Sequence, residues 1–108
     1  MKLKDMRNVL DELLLSNNFN VNWAIDLRKT KMQLRGLYES EYDDDDKLYH
    51  VIRINEKHSK EDECIGTLIH ELIHCEQAES GLELDHDEYF NIRAEHLKKL
   101  YKYSINGL

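Results

Sequence analysis

Proline is absent from this chain, and no internal repeat or low-complexity stretch interrupts it, so nothing in the sequence marks a linker. A length of 108 residues fits one domain, 1–108, with a modest core. No apolar run approaches the roughly 18 residues needed to cross a bilayer, which argues against membrane insertion. The start, MKLKDMRNVLDELLL, lacks a small-residue cleavage site and carries acids where a signal peptide would be apolar. An intracellular, cytoplasmic protein is therefore expected. Cysteine is also scarce. Cys64 and Cys75 fall three turns apart on one predicted helix, too far to bridge, and reduced thiols are expected. Basic charge is in deficit as well: the net charge of −7 leaves no basic face to neutralise phosphates, so direct nucleic-acid binding is not expected. The local cluster Arg28, Lys29, Lys31 and Arg35 is read as a solvated turn between strands.

What remains is ordinary for a globular protein, with 41% apolar and 34% charged residues. LKDMRNVLDELLLSNN places Leu3, Met6, Val9, Leu10, Leu13 and Leu14 on one helical stripe, with Ser16-Asn17-Asn18 as the stop. Val21 to Leu27 alternates like a strand, and MQLRGLYES and LYHVIRIN read as two more. The charged run EYDDDDK between them is read as a loop of mutually repelling, solvated carboxylates. A long helix follows from Lys60 to Ser80, opened by a Ser59–Asp62 capping box and three acids, and closed by Gly81. A last helix covers DEYFNIRAEHLKKLYKYS. The expected class is α+β: an N-terminal helix, a small, mostly antiparallel three-stranded sheet, and two further helices packed with it.

The long helix contains TLIHELIHCEQ. At 100° per residue, Ile65, Leu68, Ile69, Leu72 and Ile73 cover one broad side, flanked by Cys64 and Cys75. Gly66, Thr67, His70, Glu71 and His74 share the narrow remainder. A helix apolar over most of its circumference is buried, so these polar groups must find partners. Histidines at i and i+4 stand one above the other and can reach a single cation; neutral imidazole suits zinc. A glutamate directly after the first histidine reaches the flank of such an ion, where it can hold and deprotonate a metal-bound water. Three fixed positions arise by chance in roughly one chain in a hundred of this length, so the burial and the polar facet add what the motif alone lacks.

A catalytic zinc takes three protein ligands and keeps one position open. The extended spacing HExxHxxGxxH fails, with Gln77 and Ser80 in place of glycine and histidine. Glu95 projects roughly 120–140° away from the last helix's core stripe of Phe90, Ala94, Leu97 and Tyr101. His86, extrapolated back from that helix, lies within roughly 40° of the stripe, and is the preferred third ligand. LIHELIHCEQ followed by LDHDEYF, together with LRGLYE and HVIRIN, resembles the SprT-like metallopeptidase family from about Val21 onward. The resemblance implies a zincin-like fold, zinc held by His70, His74 and His86, Glu71 as general base, and peptide-bond hydrolysis. Asp87 stands where glycine is common, and a four-cysteine ribbon and basic tail are missing, so DNA targeting is not implied.

The expectation is thus a zinc-dependent metallopeptidase acting on protein or peptide. Two rivals are a zinc-stabilised binding module without catalysis, and a DNA-associated protease targeted by a partner. His50, His58 and His96 are expected at the surface, Trp23 and Cys75 in the core, and Asp85, Asp87 and Glu88 at the cap of the last helix.

Overall fold

A computed structural model describes residues 1–58 and 60–101. The elements are α1 (Leu3–Leu15), β1 (Ile25–Thr30), β2 (Gly36–Tyr42), β3 (Leu48–Asn55), α2 (Glu61–Glu79) and α3 (Glu88–Tyr101). The class is α+β, with three helices and a three-stranded mixed sheet. None of the described helices is long and apolar enough to cross a membrane.

α1 buries Met6, Leu10 and Leu13, the centre of its apolar stripe. It stops where Asn17 enters the left-handed region at φ 61°, a conformation asparagine tolerates better than most residues. α2 is buried without interruption from Cys64 to Gln77, because the sheet lies on one side and α1 and α3 cover others. The three acids of its first turn are where the helix dipole favours them, but Lys60 takes the cap position with no side-chain bond. Ser59 of the expected capping box lies outside the described residues. So do residues 102–108, and with them the expected end of the last helix at Ser104. At the other end Gly81 adopts φ 71°, and the Leu82 and Gly81 amides donate to the Gln77 and Ala78 carbonyls at 2.9 and 3.2 Å. This paired closure turns the chain back towards the site.

The sheet corrects the expected pairing. Its order is β1-β3-β2, with β1 parallel and β2 antiparallel to β3, so it is mixed rather than mostly antiparallel. β3 takes the centre because it is the most apolar strand, with Val51, Ile52 and Ile54 all fully buried. Residues 31–35 cross above its end, and Asn55 fastens that crossing: its Nδ2 donates to the Met32 and Leu34 carbonyls, each at 3.0 Å. This crossing is why β2 begins at Gly36 and not at Met32.

β1 also starts later than the alternation of Val21 to Leu27 suggests. The Asn20 amide donates to Glu76, and the Asn22 and Trp23 amides donate to Glu79, at 2.8–3.1 Å. Carboxylates of α2 thus occupy donors that a ladder would need. The strand instead continues through Arg28 and Lys29, so these two are strand residues and not part of a turn. Asp26, Glu41 and Glu39 pair with Arg28 and Arg53 on the sheet face away from the helices. The acidic run forms the β2–β3 turn, where Asp43 Oδ1 accepts the Asp45 and Lys47 amides, both at 2.9 Å.

β2 approaches α2 so closely at Gly36 that a Cβ there would stand 2.6 Å from Thr67 Cγ2 and 3.0 Å from Glu71 Oε2. Gly36→Ala should therefore lower stability by about 1–3 kcal/mol in urea unfolding. Adding Thr67→Ser, which deletes Cγ2, should recover part of that loss.

Candidate metal centre

One turn of α2 separates His70 from His74, so both imidazoles leave the helix on the same side, towards α3 and the segment leading into it. His86 arrives from that segment. The three rings have centroids 4.8–5.3 Å apart, and their candidate ligand atoms all lie within 4.8 Å of one another. His70 Nε2 and His86 Nε2 are already 3.1 Å apart. Phe90, almost fully buried at the start of α3, forms an apolar floor, its centroid 4.7–5.2 Å from each imidazole.

Tetrahedral zinc–nitrogen bonds of roughly 2.0–2.1 Å bring ligand nitrogens to about 3.3–3.4 Å from one another, so small ring rotations suffice. The donor set fits a divalent ion, and this group could hold one. It is the group of histidine, cysteine and acidic side chains among the described residues with that geometry. Burial lowers the pKa of His74, which keeps its ring neutral and able to donate a lone pair.

The cleft beside the rings holds about 230 Å³ and is lined by Gly36, Leu37, Tyr38, Glu71 and the exposed Leu34 and Leu84 as well as the histidines. Glu71 is only 2% exposed, and its Oε2 has no hydrogen-bond partner among the described residues. Burial pushes its pKa up to about 8. A carboxyl group kept this far from water with one oxygen lacking a donor is costly, and a cation or a bound water in the cleft is what would offset the cost.

Glu95 is exposed and stands apart from this group. Asp87 accepts the Phe90 amide at 3.1 Å and so caps α3 as expected. His96 is exposed, but the other two histidines expected at the surface are not. His50 is fully buried: its Nδ1 lies 2.5 Å from the Tyr38 hydroxyl and its Nε2 2.7 Å from Glu79. His58 is half-buried, bonded through Nε2 to the Thr67 hydroxyl at 2.9 Å. Trp23 is only half-buried and stacks on His50. Cys64 and Cys75 are buried and free, as expected. The Tyr49 and Tyr89 hydroxyls donate to Glu41 and Glu76.

Sequence reasoning missed two parts of the site. Gln77 was noted only for breaking a longer motif, yet its Oε1 lies 2.7 Å from His74 Nδ1. Its position three residues after a candidate ligand was the available signal. Tyr38 as a cleft wall had no local signal, since β2 had to be placed first.

Comparison of the chain with protein-family models, with curated proteins and with solved structures finds no match.

Two outcomes follow. In metal titrations His86→Ala should weaken binding, whereas Glu95→Ala should match wild type; the reverse would overturn the assignment. In chelator-treated protein, Glu71 binds its proton more tightly folded than unfolded, so stability should fall as pH rises from near 4.5 to about 8. The slope from this one group is at most about 1.4 kcal/mol per pH unit, and Glu71→Gln should remove it.

Proposed function

We propose that the chain is a zinc-dependent metallopeptidase, with His70, His74 and His86 as ligands and Glu71 as general base. The observation that carries this reading is a buried carboxylate, its Oε2 without a donor among the described residues, lining an open cleft beside three converging imidazoles. The HExxH spacing and the SprT-like resemblance of the sequence point the same way. Zinc bound there would supply Lewis acidity and lower the pKa of a coordinated water to about 7.

The protein's own residues would do the rest. Glu71 Oε2 takes a proton from the attacking water as the new C–O bond forms. The same oxygen then delivers the proton to the departing amine as the C–N bond breaks. Phe90 and the walls of the cleft limit the water around these groups, strengthening their electrostatics. β2 is an edge strand, so a substrate segment can add to it by backbone hydrogen bonds while its side chains meet Leu34 and Leu84 at the mouth.

Glu71→Gln in zinc-loaded protein provides the test, with an unfolded protein substrate such as casein. Hydrolysis should fall at least about 100-fold while zinc content stays unchanged. A variant that keeps wild-type activity would overturn the peptidase reading.

A further inference from the structure

We propose that Gln77 sets the tautomer of His74 and fastens the His86 segment to α2, so that the metal centre is ordered before an ion arrives. The proposal rests on the metal-binding reading, but its first consequence can be measured in metal-free protein.

Gln77 is fully buried and makes four polar contacts. Its Nε2 donates to the Asp85 carbonyl at 2.8 Å and stands 3.4 Å from Asp87 Oδ1. Its Oε1 faces His74 Nδ1 at 2.7 Å, and its backbone carbonyl accepts the Leu82 amide at 2.9 Å. A backbone carbonyl can only accept, so the amide must turn its NH2 group towards Asp85. The oxygen of the same amide then faces His74, and it too can only accept. His74 must therefore carry its proton on Nδ1, which leaves the lone pair on Nε2 for a cation.

Three of these contacts bracket His86. Leu82 and Asp85 precede it, Asp87 follows it, and Asp87 also caps the helix that supplies the Phe90 floor. His86 is the exposed member of the three, on a segment without regular structure. Gln77 anchors that segment to the helix carrying the other two rings. Choice of tautomer on one ligand and seating of another thus depend on one amide.

The two functions separate by substitution. Gln77→Leu removes both. Gln77→Glu keeps an acceptor for His74 Nδ1 but has no donor for Asp85. Nitrogen-15 NMR of metal-free wild type, at a pH where His74 is neutral, should show the Nδ1–H form. Chelator competition with zinc should give an affinity about 10–100-fold weaker for Gln77→Leu, with Gln77→Glu between it and wild type. The cobalt-substituted absorption spectrum should change in Gln77→Leu, which a purely structural role would not require.

An Nε2–H form in wild type would overturn the tautomer assignment. Wild-type affinity and spectrum in Gln77→Leu, with only the melting temperature lowered, would reduce Gln77 to packing. Should Gln77→Leu fail to fold, the wild-type NMR and the Gln77→Glu affinity still decide. Wild type that shows the Nδ1–H form yet takes up neither zinc nor cobalt would overturn the metal reading, with the tautomer control left intact.

Discussion

A helix buried on every side can carry polar residues only where each finds a partner, and α2 is built under that constraint. The Thr67 hydroxyl donates to the Glu63 carbonyl and receives His58. Glu76 is held by Arg93 Nε and Nη2 at 2.8 and 2.9 Å, and by the Tyr89 hydroxyl. His74 has Gln77, and Gln77 has Asp85. Among the described residues Glu71 Oε2 is the exception, and it lies at the cleft. The contrast with its satisfied neighbours is what gives that one atom its meaning.

The carboxylates at the end of α2 do more than satisfy themselves. Glu76 and Glu79 take the backbone amides of Asn20, Asn22 and Trp23, and Arg93 adds a bond to the Asn18 carbonyl at 2.7 Å. Negative charge near a helix C-terminus opposes the dipole, so these acids need their donors. They gain them by fixing the α1–β1 connection, and Glu79 also holds His50, which in turn holds Tyr38. One wall of the cleft is thereby tied to the helix bearing the histidines. Asn55 does the equivalent for Leu34 across the sheet end.

This also separates what the sequence could tell from what it could not. α1, β3 and α2 are bounded by local signals, a stripe, an apolar alternation and a terminal glycine, and their ends fall within about a residue of expectation. The shifts in β1 and β2 come from hydrogen bonds to residues some 20 to 57 positions away, which no window along the chain contains. A parallel β1–β3 pairing is equally non-local. His50 is a different kind of miss. It lies two and four residues before Ile52 and Ile54, on the same strand face, so the period of two already turned it inward. Reading it by residue type put it at the surface. The motif on α2 was legible because its geometry lies within one helix, and the third histidine because it directly precedes another.

Whether such a centre serves folding or chemistry turns on coordination. A structural zinc site closes with four protein ligands; a catalytic one keeps a position free. Here three imidazoles converge, one of them exposed, and they open onto a cleft rather than a packed interior. A domain needing zinc only as a staple gains nothing from a buried carboxylate with one oxygen unpartnered among the described residues, since a glutamine or an apolar residue would cost less there. Nor would it gain from two leucines about half exposed at the mouth of the cleft, when apolar surface is left uncovered at a cost. Both features are unfavourable in themselves, and the proposed ion and extended chain, seated between them, would offset both costs.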